Sequence, residues 1–464
     1  MLKTIYPALG LVLLSGCSMA PDYQRPAPPV AETYLGDLAA TTASSQHAPH
    51  WQEFYQEPEL QALIELALAN NRDLRVSELT TEQLRAYFRI QRSALLPNID
   101  GAANGSRQRT PADLSSSGQS TISSRYQVGL QMPAYELDFF GRVQSLRDEA
   151  LQQYLATETA QASVEISLIA AVANQYHILI ALREQRRLAA EAMDAAQKAY
   201  NINEDSFNGG VGTELDLRTA EAQLQAYRAS ELAFLEQVRQ AENRLTELVG
   251  TVLPADHTSG SILANCSQPA TLPVGLPSEL LMRRPDIRAA EHVLQAANAK
   301  IGAARAAFFP SVKLTAFGGM ASSELSGLFD GGSAAWSFAP QVTVPIFAGG
   351  RNKANLQVAE LQKQIEIANY EKSIQSAFRE VADALAVRLT INQRIDAQTA
   401  RVEAARRRNE LSDQRFNAGV DSYLPVLLAQ QELFAAQQDL VRAHLDRLTN
   451  QSALFAALGG GWEE

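Results

Sequence analysis

Cys17 is the residue with the clearest chemistry. It follows Leu14-Ser15-Gly16, an apolar residue and two small ones, at the end of a segment that starts with Lys3 and carries a short apolar run from Ala8 to Leu14. That arrangement reads as a secretory signal peptide, residues 1–16, closed by a lipoprotein cleavage motif. The small residues leave the backbone open at the cut. The thiol takes diacylglycerol, and the freed amine takes an N-acyl chain such as palmitate. Ser18 stands next, where an Asp would favour retention at the inner membrane, so the outer membrane is the expected destination. One lipid-bearing residue anchors a chain without spanning the bilayer. With Cys17 acylated, Cys266 stands alone and no intrachain disulfide is expected.

No other residues assemble into a catalytic pattern. The six His are scattered, and His47 with His50 lies in a Ser/Thr/Ala/Pro-rich stretch without a further ligand nearby. The chain has no HExxH motif, no phosphate-binding loop and no nucleophile elbow. It is expected to be no enzyme and to hold neither metal nor cofactor apart from the acyl groups on Cys17. The net charge is −11, and loss of Lys3 with the signal makes it one unit more negative. An acidic surface argues against nucleic acid and against anionic lipid as the main partner. Beyond Gly16 no apolar run approaches the length of a membrane helix.

The elements around these residues are dominated by a duplication. Arg142 to Asn208 and Arg351 to Ala418 contain neither glycine nor proline. Each predicts a helix of roughly 100 Å at 1.5 Å per residue, far beyond the usual mean of about 11–12 residues. Each ends at a similar turn, Phe207-Asn208-Gly209-Gly210-Val211-Gly212-Thr213 and Phe416-Asn417-Ala418-Gly419-Val420-Asp421-Ser422. The offset that maps Gly210 onto Gly419 also maps Gly141-Arg142 onto Gly350-Arg351, and Leu248-Val249-Gly250 onto Ala457-Leu458-Gly459. At a slightly larger offset Asn71-Arg72-Asp73-Leu74 matches Arg284-Pro285-Asp286-Ile287, and Leu96-Pro97 matches Phe309-Pro310. The unit is helix–strand–strand–helix, twice over. Helices are also expected over Pro58–Asn70, Arg72–Leu95 and Pro285–Phe308. Stripes of Ile166, Ile169, Ala173, Tyr176 and Ile180, and of Ile367, Tyr370, Ile374, Ala377, Val381 and Ala384, have the three-and-four spacing of a coiled-coil seam.

The strand signals alternate. Tyr126, Val128, Leu130 and Met132 are separated by Gln127, Gly129 and Gln131. Trp336, Phe338, Pro340, Val342, Val344 and Ile346 alternate with small and polar residues. Val312 to Ala321 is a poorer case and Ile99 to Arg109 the weakest. This is the pattern of transmembrane β-strands. Strands in lipid must close into a barrel, and four are too few for one. Two, three or four copies would pool eight, twelve or sixteen strands, and twelve or more leave a lumen. The expected organisation is a signal peptide (1–16), a lipidated N-terminal segment (17–57), a first repeat (58–250), a linker (251–276), a second repeat (277–459) and a tail (460–464). The first repeat carries strands about 99–109 and 125–137 and helices about 142–208 and 213–249. The second carries strands about 312–322 and 335–347 and helices about 351–418 and 422–458.

Six stretches together resemble the TolC-type outer-membrane factors, in the OprM-like lipoprotein branch that serves multidrug efflux. They are CSMAPDYQRP (Cys17 to Pro26), YELDFFGR (Tyr135 to Arg142), LPSELLMRRPDI (Leu276 to Ile287), IGAARAAFFPS (Ile301 to Ser311), PIFAGGR (Pro345 to Arg351) and GGGW (Gly459 to Trp462). The resemblance runs nearly end to end. It implies a mainly α fold with a membrane β-barrel: a homotrimer whose twelve-stranded barrel continues as a long α-helical coiled-coil barrel, with an equatorial region at mid-height. It also implies a passive, gated conduit, lipid-anchored in the outer membrane and extending into the periplasm. The implied partners are a periplasmic adaptor and an inner-membrane pump of the resistance-nodulation-division type. Drugs and other small toxic compounds are the expected cargo. Same-fold alternatives are ducts for metal-ion efflux or protein secretion, although six Met make a methionine relay for soft metals a poor fit. A periplasmic adaptor lipoprotein would show one hairpin, not two.

Such channels close at their periplasmic tips, so the residues before the two Gly-Val turns become gate candidates. A threefold axis makes a ring of each carboxylate, which attracts cations. Asp413 is the first ring candidate, with Leu411 as a constriction, Arg415 as a linking residue, and Glu204 and Asp205 in the first half. Gly210, Val211, Gly419 and Val420 are expected to meet the adaptor, glycine allowing positive φ and valine offering an apolar knob.

Overall fold

The computed structural model describes residues 18–31, 49–254, 263 and 284–462. Cys17, His47, Cys266 and most of the linker lie outside the described residues. The elements run α1 (Trp51–Phe54), α2 (Pro58–Asn70), α3 (Arg72–Ser93), β1 (Asp100–Thr110), β2 (Thr121–Leu137), α4 (Arg142–Asn208), α5 (Glu214–Val249), α6 (Pro285–Ala306), β3 (Ser311–Ser322), β4 (Ala334–Thr343), α7 (Arg351–Asn417) and α8 (Leu424–Ala457). Most bounds fall within two residues of the sequence pattern, and two strand ends depart from it by about four residues for local reasons. β2 starts at Thr121 because its pairing with β1 extends to Thr110. β4 stops at Thr343, two residues before Pro345, which has no N–H to give a ladder.

The chain divides into two compact units. One comprises Met1–Ala27, Thr80–Glu158 and Ala289–Tyr370, and holds the sheet. Its four strands are antiparallel in the order β1-β2-β3-β4, so β2 of the first half pairs with β3 of the second. There Gly129 lies opposite Gly319. A Cβ on Gly319 would sit 2.2 Å from the Val128 carbonyl oxygen, and one on Gly129 would sit 2.5 Å from that of Gly318. Only glycine permits this approach.

The other unit comprises Pro28–Leu79, Thr159–Arg288 and Glu371–Glu464. Its core joins α1 and α2 to the long helices and the C-terminal end of α8. Phe54 stacks on Phe455 with centroids 4.5 Å apart, and Tyr55 meets the same ring edge-on. The stripe Ile166, Ile169, Ala173, Tyr176 and Ile180 is buried throughout, and Tyr176 donates to Glu59 Oε2 at 3.2 Å. α4 is the one described helix with a segment long and apolar enough to cross a bilayer, but that segment is mostly buried against protein.

The duplication is visible in hydrogen bonds as well as in sequence. Asn71 Nδ2 donates to the Leu248 carbonyl at 2.8 Å, and its counterpart Arg284 donates through Nη1 to the Ala457 carbonyl, the counterpart of Leu248, at 2.9 Å. Gln175 Nε2 donates to the Ala241 carbonyl at 3.0 Å. At the equivalent positions the direction reverses: Asn450 Nδ2 donates to the Ala384 carbonyl, also at 3.0 Å. Each half closes its own helix pair at matched positions.

His177 is buried in this unit, and neither ring nitrogen meets a hydrogen-bond partner among the described residues. Burial pushes its pKa down to about 4, from about 6.5 in an open chain. The unfolded chain therefore binds a proton that the folded chain refuses. Stability is unaffected above pH 6.5 and falls as the pH drops from there to about 4. A His177→Leu chain should lose part of this acid sensitivity, read as a flatter dependence of the urea midpoint on pH across that window.

Candidate functional site

The register of the sheet sorts its side chains onto two faces. Gly101 stands opposite Leu130, which stands opposite Gly318, which stands opposite Trp336. Continuing in steps of two, one face carries Gly101, Ala103 and Gly105, with Arg107 and Arg109 where β1 nears its hairpin turn, then Tyr126, Val128, Leu130 and Met132, then Leu314, Ala316 and Met320, then Trp336, Phe338, Pro340 and Val342. The opposite face carries Asn104, Ser106 and Gln108 on β1, Gln127 and Gln131 on β2, Lys313 and Thr315 on β3, and Ser337, Gln341 and Thr343 on β4, with Phe317 its one aromatic residue. Large residues meet small ones on the apolar face, as Phe338 does Ala316. Trp336, Phe338, Leu130 and Val342 are all exposed in the single chain. β1 and β4 end the sheet with one open edge each. One apolar face, one polar face and two open edges make a segment of a barrel wall.

The N-terminal segment is tied to α6 by residues one heptad apart. Glu291 accepts from Arg25 Nε and Nη2, both at 2.7 Å, and from the Tyr23 hydroxyl at 3.1 Å. Asn298 Nδ2 donates to the Pro21 carbonyl at 2.8 Å, and Arg305 Nη1 to that of Met19 at 3.4 Å. Burial and Glu291 together raise the Tyr23 pKa, so that hydroxyl stays protonated and donates. An extended strand from residue 25 to 19 covers about 20 Å, and the helix from 291 to 305 about 21 Å. The strap and the helix match in length. Glu291→Ala should free the strap, with chymotryptic cleavage after Tyr23 at least about tenfold faster at unchanged thermal midpoint.

The two turns share a geometry. Val211 N–H donates to the Ser206 carbonyl at 3.0 Å and Val420 N–H to the Arg415 carbonyl at 2.9 Å. Gly210 and Gly419 sit at φ 73° and 70°. This is a glycine-terminated helix end with the next residue turned outward. Val211 is 86% exposed and Val420 61%. Thr213 caps α5 by accepting from Asp216 N–H at 3.1 Å. Tyr423 precedes α8 without a side-chain cap, and Pro425 fills the first turn.

Among the gate candidates, Glu204 accepts from the Tyr200 hydroxyl at 2.8 Å and Asp413 from Asn417 Nδ2 at 3.1 Å. Leu411 is exposed, and the main-chain carbonyl of Asp205 accepts from Gly209 N–H at 2.9 Å. Arg415 engages Asp421 of its own turn, Nε to Oδ2 at 2.6 Å and Nη2 to Oδ1 at 2.9 Å, which lowers the Asp421 pKa. Burial, with Tyr227 and Asp413 nearby, pushes the Tyr423 phenol up to about 12. Phe416 meets Tyr423 edge-on at 5.5 Å. Within one chain the acidic candidates of the two halves do not pair with each other.

Arg415 is also the last rung of a ladder of ion pairs whose other members were not among the gate candidates. Arg394, Arg401, Arg408 and Arg415 recur every seven residues along α7, and pair with Asp446, Asp439, Glu432 and Asp421. The first three partners recede along α8 at the same interval. The four counterparts in α4 are Gln185, Ala192, Ala199 and Ser206, so the ladder belongs to the second hairpin alone. The heptad spacing of arginines was the available signal. No group of three or more His, Cys, Asp or Glu among the described residues is placed to hold a metal ion.

Comparison with known proteins agrees with the two-fold layout. The family model for outer membrane efflux proteins matches residues 63–251 and again 276–460. The chain is similar to the solvent efflux pump outer membrane protein SrpC of Pseudomonas putida, 46% identical over 461 residues that cover 98% of each chain. It is 44% identical to the antibiotic efflux pump outer membrane protein ArpC of the same species over 463 residues, 98% of this chain and 95% of the relative. A crystal structure of a membrane protein from Pseudomonas aeruginosa superposes with a TM-score of 0.89 at 43% identity, covering 96% of this chain and 98% of that one.

Proposed function

This chain belongs to the outer membrane efflux protein family, and we propose that three copies of it close a twelve-stranded barrel and helical tunnel carrying drugs and solvents out of the cell. It is an outer-membrane channel of a tripartite efflux pump, reaching into the periplasm, where an adaptor and an inner-membrane transporter complete the assembly. The family is one of channels rather than enzymes. The observation that carries the reading is the sheet, apolar on one face, polar on the other and open at both edges. In lipid those edges need partners, and three copies supply twelve strands around a lumen. The inner-membrane partner is a pump of the resistance-nodulation-division type. Solvents and antibiotics fit the pumps that the relatives serve.

Cys17 carries the lipid. Two extended residues reach at most about 7 Å beyond Met19, and Met19 is tied to Arg305 at the end of α6, five residues before Pro310 and the start of β3. The acyl chains then enter the leaflet at the periplasmic rim of the barrel. At the other end Asp413, Leu411, Glu204 and Asp205 ring the closed tip, Arg415 stiffens it, and Val211 and Val420 meet the adaptor. An Asp421→Asn chain loses the chelate on Arg415 and should show a several-fold higher single-channel conductance or open probability in planar bilayers, with a weaker dependence on salt.

Accumulation of a fluorescent efflux substrate and of several antibiotics in a deletion strain tests the function. Wild-type protein should restore efflux. Cys17→Ala behind a non-lipoprotein signal separates the lipid from the barrel. Unchanged drug accumulation with impaired copper tolerance or protein secretion would sink the assigned cargo.

A further inference from the structure

We propose that Arg107 and Arg109 form a binding site on the outer wall of the barrel for the phosphates of lipopolysaccharide, the glycolipid of the outer leaflet. This rests on the reading of the sheet's apolar face as the side turned to lipid. On that face Arg107 and Arg109 are the only charged residues of the four strands. They stand two residues apart on β1, so their side chains leave the wall side by side, about 7 Å apart at the backbone. Ser124 stands opposite Arg107 and Ile122 opposite Arg109. Both arginines are exposed, and neither guanidinium is held by an acid among the described residues. Asp113, the one acid in the turn from Pro111 to Ser120, pairs with neither. The chain as a whole is acidic, so the pair is a local site rather than part of a general attraction to anions.

The register sets their height on the wall. α3, α4, α6 and α7 join the strands at the end marked by Asp100, Leu137, Ser311 and Thr343. The helices reach into the periplasm, so the turns after Thr110 and Ser322 lie at the cell surface. On β3 the outward positions from Val312 to Ser322 cover about 33 Å along the strand and, at a barrel tilt of about 40°, about 25 Å across the membrane, the height of a barrel's apolar band. Tyr126 stands opposite Ser322, at the top of that band. Its ring leans over Gly105, where a Cβ would meet Cδ1 at 3.3 Å. An aromatic ring at this height belongs to the girdle that marks the membrane boundary. Arg107 and Arg109 are the next two outward positions beyond Gly105. They reach the headgroup plane, where an arginine on the lipid face costs little. In the outer leaflet that plane holds the phosphate monoesters of lipopolysaccharide. A guanidinium forks onto phosphate oxygens with two parallel bonds, and the Ser124 hydroxyl beside Arg107 adds a donor. Arg125 stands close by in the strand order, opposite Ser106, but on the polar face. It carries the same charge toward the lumen.

The test titrates full-length channel, purified from outer membranes and stripped of lipid in detergent, with fluorescent lipopolysaccharide. Arg107→Gln with Arg109→Gln should bind at least about tenfold more weakly than wild type, at an unchanged oligomer size on sedimentation. Arg107→Lys with Arg109→Lys keeps the charges and loses the fork, and should fall between the two. Arg125→Gln removes the same charge from the lumen face and should bind within about twofold of wild type. Enzymatically dephosphorylated lipopolysaccharide should bind wild type more weakly by the same factor, and the glutamine pair no more weakly than the intact lipid does, as a cycle through one contact requires. Phosphatidylglycerol micelles and inorganic phosphate should compete at least about tenfold more weakly. The first carries its phosphate as a singly charged diester, and the second has no acyl chains to lie on the wall. Equal binding by wild type and both double variants, in an intact oligomer, would overturn the site and leave the barrel standing. Equal competition by phosphatidylglycerol would overturn the assignment to the glycolipid. A monomeric wild-type protein would remove the barrel itself, and the lipid-facing wall with it.

Discussion

A Gly319→Val chain is expected to yield almost no assembled channel. The substitution puts a branched side chain where even a Cβ would lie 2.2 Å from the Val128 carbonyl oxygen and 2.6 Å from the Gly129 Cα. Neither neighbour is a flexible side chain that could swing aside. β2 and β3 must separate, and their pairing holds the two halves of the sheet together. A sheet split there has four open edges instead of two, each costly in lipid. Outer-membrane fractions should contain less than about a tenth of the oligomer that wild-type protein forms, and drug accumulation should equal that of the deletion strain. Gly318→Val is the control, since a Cβ there meets nothing within 4 Å. Normal assembly of Gly319→Val would mean that the two strands part more easily than their register allows.

The second large effect is expected at Arg284. Its guanidinium is nearly buried and holds Asp286 through two bonds at 3.0 and 2.6 Å, Glu380 at 2.8 Å and the Ala457 carbonyl at 2.9 Å. Its pKa is raised by Asp286 and Glu380 against the opposing cost of burial, so it is charged at every relevant pH. Arg284→Ala leaves two carboxylates facing each other and an uncapped helix end. Breaking a buried pair costs about 3–5 kcal/mol, but both carboxylates are more than a third exposed here. A loss of about 2–3 kcal/mol is the discounted expectation. Arg284→Lys should recover little of it, since an ammonium cannot fork to Asp286 while reaching Glu380 and the carbonyl. Asn71→Ala removes the counterpart bond to Leu248 and the N-cap that Asn71 Oδ1 gives Leu74 N–H, and should cost only about 1 kcal/mol. Equal losses at both positions, read from urea unfolding in detergent, would show that capping rather than charge carries the site.

Much of this molecule is legible in its sequence. The absence of glycine and proline dictated α4 and α7, because nothing between their ends interrupts the hydrogen-bond ladder. Alternation named the faces of β2 and β4, since a strand's side chains point up and down in turn. The Gly-Val turns were readable because the αL position at a helix end selects glycine. β1 was the faintest signal. Gly101, Ala103 and Gly105 occupy its apolar face, and small residues carry little hydropathy even when their position is fixed by a neighbouring strand.

Sequence alone determined the duplication and the length of the helices, and it carries the expectations of a secretion signal, of acylation at Cys17 and of several copies. These are local or periodic properties, written in neighbouring residues or in a constant offset. Tertiary structure decided what no local rule specifies: that Glu291 holds Arg25, that Arg284 reaches Glu380 and Ala457, that Gly129 faces Gly319, and that four arginines of α7 find acids on α8 and its turn. Pairing across scores of residues depends on helix phase, strand register and the shape of the intervening chain. A charge's type and spacing show that it can pair, and only the fold selects its partner.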